Sequence, residues 1–316
     1  MTRLDLTARL ATMRLFLPFV LFFVRTGSAA EPSTPSITHN VFVAGAQTAI
    51  LDNDGKVLWS YPAATRDGFV LPDGHKLLAV SHNKDHPGGA AIEIGEGGQV
   101  VFQFEGTQSE LNTVQALEDG RYMLTEAGAN PRVLEVDRSG KILSETPLQA
   151  QTANAHMQTR MTRKLQNGNY LVPQVLEKTV REYTPEGKIT WEYRSPETPK
   201  ECSPFTAIRL GDRHTLITQT RGTRVEEVDA SGQVVWELTN ADLPTPLLNH
   251  PTAAQRLLNG NTVIASYGAG ENQVKLFEVT PGKQVVWTLT LPGKAGIHEF
   301  QILDTNGVPL SGNPMK

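Results

Sequence analysis

Three of the eight histidines in this chain stand at similar positions in segments that recur along the sequence, as residues of one shared site could. His156, His250 and His298 each stand beside an apolar, strand-like run, at intervals of 94 and 48 residues. Near neutral pH an imidazole can act as a general base, as a nucleophile or as a ligand to a divalent metal. We therefore predict that the three rings share a site. The alternative is that each ring caps its own loop by bonding a neighbouring carbonyl.

Further polar side chains fall in segments that should lie beside these histidines. Arg221 is the best of them, because a guanidinium suits a carboxylate, sulfate or phosphate group, although a surface ion pair would also explain it. The predicted catalytic set, if the protein is an enzyme, is His156, His250, His298 and Arg221. The predicted ligand-binding residues are His82, His86, Asn112, Glu126 and Tyr267. If a divalent metal binds, the same three histidines are its predicted ligands, and the cofactor is otherwise unknown.

Recurring turns indicate the scaffold that positions these residues. One turn returns every 45 to 48 residues, at Asp73-Gly74, Asp119-Gly120, Asn167-Gly168, Asp212-Arg213, Asn259-Gly260 and Asn306-Gly307. A second turn keeps a similar period, at Gly55, Gly98, Gly140, Gly187, Gly232 and Gly282. The segments between these turns read as short β-strands. An all-β repeat of roughly 40 to 50 residues is typical of a β-propeller, in which each repeat is one four-stranded blade.

The two ends of the repeat region predict how the ring closes. The chain reaches Val41 on a second-strand pattern that lacks a first strand, and a lone first strand follows at residues 298–303. Pairing between the two would remove an open sheet edge. We predict a six-bladed β-propeller of four-stranded antiparallel blades, a single domain over residues 41–316, closed by the C-terminal strand on the N-terminal blade. In such a ring the candidate residues all fall at one mouth of the central channel.

The first thirty residues predict export. An apolar run of ten, residues 15–24, follows several arginines and precedes small residues that suit cleavage near Ala30. The run is too short for a comfortable membrane span. We predict a signal peptide at residues 1–30, a lead-in at 31–40 and a mature periplasmic or extracellular protein with no transmembrane segment. Translation could start at Met1 or at Met13.

The composition argues against several partners and bonds. The net charge of −4 and the lack of a basic run argue against nucleic acid. Cys202 is the single cysteine, so the stability of an exported protein must come from packing and ring closure rather than from an internal disulfide.

The repeated runs resemble those of a known group of propellers. Segments such as LQNGNYLV at 165–172 and DASGQVVWE at 229–237 resemble the PQQ-like repeats of the quinoprotein-like propellers, and within them those of bacterial arylsulfate sulfotransferases. The second resemblance implies an exported, six-bladed enzyme that carries a sulfuryl group on channel-facing histidines and an arginine. Those roles would fall to His156, His250, His298 and Arg221. The quinone-dependent dehydrogenases are also similar, but they are typically eight-bladed with a vicinal disulfide, which argues against pyrroloquinoline quinone here.

Three classes of function stay open from the sequence. The first, which we favour, is a scaffold that binds a small anionic or carbohydrate-like ligand, or a protein, at a histidine-lined channel mouth. The second is an arylsulfotransferase-like enzyme with a histidine nucleophile oriented by a second group and an arginine that neutralises oxyanions. The third is a metal-assisted lyase or hydrolase in which three imidazoles hold the ion.

Overall fold

The computed structural model describes Met1 and residues 36–199, 201–294, 296–311, 314 and 316. The predicted signal peptide and most of the lead-in lie outside these residues. Ile37–Lys316 form one unit. Among the described residues, no helix has the length and apolar character needed to cross a membrane.

In the described residues, 24 strands form six four-stranded antiparallel sheets, which confirms the predicted six-bladed propeller. Blades two to six follow one another in chain order, each with its inner strand first. Blade two contains β4 (Thr65–Val70), β5 (Lys76–Val80), β6 (Ala90–Ile94) and β7 (Val100–Glu105), and blade three contains β8 (Glu110–Ala116), β9 (Tyr122–Ala127), β10 (Arg132–Val136) and β11 (Ile142–Pro147). Blade four contains β12 (Arg163–Lys164), β13 (Tyr170–Gln174), β14 (Thr179–Tyr183) and β15 (Ile189–Arg194); blade five contains β16 (Pro204–Arg209), β17 (Thr215–Gln219), β18 (Arg224–Val228) and β19 (Val234–Thr239); and blade six contains β20 (Pro251–Arg256), β21 (Thr262–Ser266), β22 (Val274–Val279) and β23 (Val285–Thr290). Short 3-10 helices at Ala155–Met157 and Asn240–Asp242 lead into blades four and six.

Blade one is assembled from both ends of the chain, as predicted. It contains β1 (Val41–Gly45), β2 (Thr48–Leu51), β3 (Val57–Tyr61) and the later strand β24 (Ile297–Ile302), in the order β24-β1-β2-β3. Val41 pairs with Ile302 and Val43 with Phe300. A two-stranded ribbon, β25 (Asp304–Thr305) and β26 (Val308–Pro309), follows the closing strand. The closing strand therefore pairs the edge of β1 that would otherwise be open, and blade one gains the inner strand that the other blades have.

The repeated turns need a backbone with positive φ, and the sequence supplies it in two ways. Most blades use glycine, as at Gly74 (φ 81°) and Gly232 (φ 84°). Blade five places Arg213 (φ 69°) at the same point. In blade six the positive φ lies at Lys283 (φ 67°) and not at the predicted Gly282, so this turn is shifted by one residue.

Tryptophans of three outer strands join blades four, five and six to the blade that follows each of them. The indole nitrogen of Trp236 in β19 donates to the carbonyl of Pro281 at 3.0 Å, and Trp191 in β15 donates to Ala230 at 3.0 Å. Trp287 in β23 donates to the side chain of Asn53 at 2.9 Å, which links blade six to blade one. These rings pack between blades because each single sheet cannot bury both of its faces.

A row of glutamates on the third strands forms a second link between blades. These interblade glutamates are Glu93, Glu135, Glu182, Glu227 and Glu278. Each accepts a hydrogen bond from the inner turn of its own blade, as Glu227 does from His214 (2.8 Å). Each also bonds a side chain of the following blade, as Glu227 does with Arg256 (2.7 Å) and as Glu278 does with His39 (2.8 Å). The buried carboxylates are thus satisfied by partners on two blades.

Candidate functional site

β-Bulges at the starts of the inner strands direct side chains into one channel mouth. Arg66 in β4, Asn112 in β8, Phe205 in β16 and His298 in β24 are each skipped in the pairing of their strand with its neighbour. Their spacing is 46, 93 and 93 residues, which is one and then two periods of the repeat. A bulge bends the strand and re-aims its extra side chain. The same local irregularity therefore presents a different residue from each blade.

A connected group of polar and aromatic side chains occupies this mouth, and Glu110 lies at its centre. We call it the mouth cluster; its members are Arg66, His82, Glu110, His156, Arg160, Phe205, Tyr267 and His298. Oε1 of Glu110 lies 2.9 Å from Nδ1 of His156, 3.6 Å from Nη2 of Arg66 and 3.9 Å from Nδ1 of His82. Its Oε2 is buried without a hydrogen bond, 3.9 Å from Nη1 of Arg160. Burial raises the pKa of Glu110, but the bond from His156 and the charges of Arg66 and Arg160 outweigh it and lower the pKa.

The contact with Glu110 orients the ring of His156. A carboxylate can only accept, so in the shorter contact (2.9 Å) Nδ1 of His156 carries a proton and donates it to Glu110. Nη2 of Arg66 lies 3.3 Å from the same nitrogen, but a guanidinium can only donate, so this longer contact is not a hydrogen bond when Nδ1 is protonated. Nε2 is then the nitrogen that offers a lone pair when the ring is neutral. The His156 side chain is 51% exposed while Glu110 is 8% exposed, so a buried carboxylate holds an accessible imidazole. This pair has the arrangement that general-base and nucleophilic histidines use.

His298 is held as a neutral ring between two aromatic side chains. Its Nδ1 lies 3.3 Å from the carbonyl of Thr65, which can only accept, so Nδ1 is protonated and Nε2 carries the lone pair. Tyr267 stacks on the ring at 5.0 Å between centroids, and Phe205 lies parallel to it at 6.2 Å. Burial, followed by the positive charge of Arg66, lowers the pKa of His298 to about 3. This imidazole is a hydrogen-bond acceptor across the whole physiological pH range.

Two guanidiniums outnumber the single carboxylate of the mouth cluster. Arg160 donates to the carbonyls of Thr159 (2.8 Å) and of His156, and it lies 5.6 Å from the ring of Phe205. Burial, followed by repulsion from Arg66, lowers the pKa of Arg160 to about 10, so the group still carries its charge at neutral pH. With Arg66, Arg160 and Glu110 ionised and the three histidines of the cluster counted as neutral, the cluster carries a net charge of +1 (two cations minus one anion). An anion is the ligand that such a surplus favours.

The structure brings only some of the predicted residues into this cluster. His156, His298, His82 and Tyr267 belong to it, and Asn112 lines the channel wall beside it, where its Nδ2 donates to Thr159 (3.2 Å). The side chain of Asn112 is buried and its Oδ1 has no hydrogen-bond partner.

The other predicted residues lie elsewhere on the blades. His250 is exposed at a left-handed backbone position (φ 51°), and its carbonyl accepts a hydrogen bond from the backbone N–H of Tyr267 (3.2 Å). Among the described residues, its ring makes no side-chain hydrogen bond or ion pair with the cluster. Arg221 is exposed between β17 and β18 and makes none either. His86 pairs with Glu105 (3.0 Å) on its own blade. Glu126 is buried and accepts bonds from Thr107 and Arg132, so it ties a loop together.

The predicted three-histidine metal site does not assemble in the described residues. There, groups of three potential ligands with donor atoms within 4.8 Å occur at Asp73, His75 and Glu93 and at Asp212, His214 and Glu227. Both groups are inner turns bonded to an interblade glutamate. Blades four and six make the same link with Asn169 (2.7 Å) and Asn261 (2.6 Å). Asparagine in the equivalent positions favours a structural hydrogen bond over metal ligation.

Several residues of the channel escaped the sequence analysis. Arg66, Glu110, Arg160 and Phe205 were not selected because they are not histidines or turn residues, although Arg66 and Phe205 keep the repeat period with His298.

A cavity of about 710 Å³ also lies at the opposite end of the channel, where the inner strands β4, β8, β20 and β24 end. Asp67, Arg163, Glu299 and Lys316, which we call the floor cluster, are buried beside it.

A family comparison matches most of the chain. The family model described as outer membrane protein assembly factor BamB, built on PQQ-like repeats, matches residues 49–308. The chain belongs to this PQQ-like repeat family. No curated protein matches the sequence.

Solved structures with low sequence identity share the propeller. A protein of unknown function from Bacteroides caccae is 22% identical with a TM-score of 0.72, over 83% of this chain and 98% of that one. An inactive variant of virginiamycin B lyase from Staphylococcus aureus, solved with quinupristin, is 16% identical with a TM-score of 0.58, over 82% and 86%. A periplasmic gluconolactonase from Pseudomonas aeruginosa is 15% identical with a TM-score of 0.55, over 86% and 84%. At these identities the likeness concerns the fold alone.

Proposed function

We propose that this PQQ-like propeller is an exported binding protein whose channel mouth takes a small organic anion. The observation that carries the proposal is the surplus of two guanidiniums over one carboxylate in the mouth cluster. Arg66 is the cation that such a ligand would meet, because its side chain is 10% exposed and its polar contacts within the described residues are those with Glu110 (3.6 Å) and His156 (3.3 Å). A carboxylate, sulfate or phosphate group could therefore receive charge-assisted hydrogen bonds from it.

The aromatic members of the cluster favour a ligand with a flat or apolar body. Tyr267 is 40% exposed and Phe205 is half-buried, and both flank the neutral His298. A ring could stack beside them while its anionic group meets Arg66. The predicted export signal and the family description, an outer membrane assembly factor, support a location outside the cytoplasm.

Binding of paired probes tests the proposal. We expect 4-nitrophenyl sulfate and benzoate to bind in isothermal titration calorimetry, and the neutral 4-nitrophenol and benzamide to bind less tightly. Arg66→Gln should weaken the anions by roughly 10- to 100-fold, since a hydrogen bond to a charged group contributes about 1.5–3 kcal/mol. Arg221→Gln is the matched control and should bind as the parent does. Equal affinity for charged and neutral probes, or an unaltered affinity in Arg66→Gln, would refute anion recognition at the mouth.

A second candidate function is group transfer through His156, and the observation in its favour is the Glu110–His156 pair beside Arg66. In this reaction Nε2 of His156 attacks the sulfur of an aryl sulfate. The bond from sulfur to the phenol oxygen breaks, and its electron pair leaves on the phenolate. An acceptor hydroxyl then takes the sulfuryl group from Nε2 and gives up its proton to solvent. Arg66 would neutralise the oxyanions during both steps.

Turnover of 4-nitrophenyl sulfate with phenol as acceptor tests the second candidate. His156→Gln should lower the rate by about 100-fold or more, because the covalent route is lost. Glu110→Gln should lower it less and should alter its pH profile, because the ring loses its charged orienting partner. Absence of turnover in a parent protein that binds the probe would leave the binding function alone.

A further inference from the structure

The floor cluster surrounds an ammonium group as a binding site for such a group would. Nζ of Lys316 lies 2.8 Å from the carbonyl of Gly68, 3.8 Å from Oδ1 of Asp67 and 3.9 Å from the centroid of the Phe69 ring. An acceptor, a carboxylate and an aromatic face are the three features that proteins use to hold ammonium ions. The Lys316 side chain is 0% exposed.

Charge balance explains why this position needs a cation. Asp67 and Glu299 are both 0% exposed, and Arg163 bonds both of them, at 2.8 Å and 3.2 Å. Without Lys316 the site would hold two carboxylates and one guanidinium, so it would carry a net charge of −1. Burial raises the pKa of Glu299 despite its two cationic neighbours, which shows how costly that charge is in the channel.

A cavity borders this group. Phe69, Arg163 and Lys316 all line the cavity of about 710 Å³ at the end of the channel opposite the mouth, together with Leu310 and Pro314. Lys316 lies outside the strands, whereas Asp67, Phe69 and Glu299 lie in the paired strands β4 and β24. Lys316 is therefore the member of the cluster whose position depends least on the sheets.

We propose that the floor of the channel is a binding site for a primary alkylammonium group, and that Lys316 fills it as a displaceable internal ligand. The ligand class is a lysine side chain or a small alkylamine of similar length. This site is separate from the proposed anion site, because it lies at the opposite end of the channel.

The parent protein gives the first test. Nζ of Lys316 lies 3.9 Å from the centroid of the Phe69 ring, so the resonance of the neighbouring ε-methylene in ¹³C-lysine-labelled protein should be shifted upfield, and Lys316→Met identifies it by its loss. We expect n-butylammonium chloride to move this resonance to the position of exposed lysines. Isosteric n-butanol and KCl at equal ionic strength should leave it unchanged. A Lys316 signal that stays fixed, or that responds equally to all three additions, overturns the proposal.

The variant Lys316→Ala gives the second test, since it empties the site. We expect n-butylammonium to raise its Tm by more than that of the parent or of Lys294→Ala, which removes an exposed lysine. Phe69→Leu in the Lys316→Ala background should reduce this response, because the aromatic face is lost. No stabilisation of Lys316→Ala beyond that produced by KCl overturns the proposal, and if this variant does not fold, the parent experiment decides.

Discussion

His156 and His298 have the same side chain but are prepared for different tasks. His156 bonds a buried carboxylate and faces solvent, so it can accept a proton or a group on Nε2. His298 bonds a carbonyl between two aromatic rings, and burial with the charge of Arg66 lowers its pKa to about 3. The first ring can take part in acid–base chemistry, whereas the second donates to Thr65 through Nδ1 and offers a ligand only an acceptor at Nε2. Environment, more than residue type, assigns these roles.

His214 allows a residue-level test of the interblade glutamates. Its hydrogen bond to Glu227 raises its pKa in the folded protein above the unfolded value of about 6.5. A raised folded-state pKa stabilises the protein fully below the unfolded pKa, and this stabilisation is lost as pH rises through the folded pKa. We expect the parent to keep this contribution below the unfolded pKa and to lose it as pH rises through the raised folded-state pKa of His214. His214→Asn, which copies Asn169 and Asn261 of other blades, should keep the link without this pH dependence.

Urea unfolding of the parent and of His214→Asn checks this prediction when it is measured once below the unfolded pKa of about 6.5 and once well above it. The difference between parent and His214→Asn isolates the one histidine, because all other titrating groups are common to both. A difference that does not change with pH would contradict the assignment. His214→Ala serves as the control that loses the link itself.

The candidate site could be predicted from sequence only in part, and particular residues show why. His156, His298, His82 and Tyr267 were found because histidines and loop aromatics stand out and because the repeat gives their position. Arg66 and Phe205 reach the mouth through bulges, and a bulge depends on pairing with the next strand, which no local pattern displays. Glu110 and Arg160 matter through contacts with other blades, and such contacts exist only once the ring is closed.

At the level of strands, the inner and outer strands of a blade have different roles: the bulge of the inner strand lines the channel, and the aromatic residue of the outer strand packs between blades. The bulge near the start of the inner strand varies in sequence and supplies the channel, with Arg66, Asn112, Phe205 and His298 in four blades. The outer-strand position is tryptophan in four blades, Phe102 in blade two and Ser144 in blade three, and its aromatic rings pack between blades. Because the packing comes from the outer strand, the inner strand can change its side chains without loss of the fold.

Trp236 provides the element-level prediction. Trp236→Phe keeps a ring between blades five and six but removes the 3.0 Å hydrogen bond to Pro281. We expect the free energy of unfolding to fall by about 1 kcal/mol, the usual contribution of one such bond. Trp236→Ala also removes the packing, and we expect a loss of about 3 kcal/mol. Denaturant unfolding measures both values.

Trp59 is the matched control for Trp236→Phe. It occupies the same position in blade one, where the ring lies 5.7 Å from Nζ of Lys76, and its indole nitrogen makes no hydrogen bond in the described residues. Trp59→Phe should therefore cost less than Trp236→Phe. Equal losses in the two variants would show that the hydrogen bond to Pro281 contributes nothing.

At the scale of the whole molecule, the sequence repeat predicted the fold more completely than it predicted the candidate site. Two turns that return with one period implied six blades, and the lone strand near residue 300 implied the closure that β24 makes with β1. The repeat had less to say about the floor of the channel, since Asp67, Arg163 and Glu299 lie on three different blades and Lys316 lies outside them. Periodic sequence features predict periodic structure, whereas the channel depends on what differs between blades.

Ring closure makes a prediction for the molecule as a unit. Phe300 in β24 is 0% exposed and pairs across to Val43, so Phe300→Ala leaves a cavity at the junction of the two chain ends. We expect a loss of about 3–5 kcal/mol, as for other buried phenylalanines. β1 pairs with β2 on one side and with β24 on the other, so β24 is what holds the N-terminal strands β1 to β3 in the ring. Hydrogen exchange should therefore accelerate most in residues 41–61, which contain these strands. Phe277→Ala in β22, also 0% exposed, is the control and should accelerate exchange in blade six instead. Exchange that rises uniformly in both variants would show that the closing strand is not the weakest junction and that the ring opens only by global unfolding.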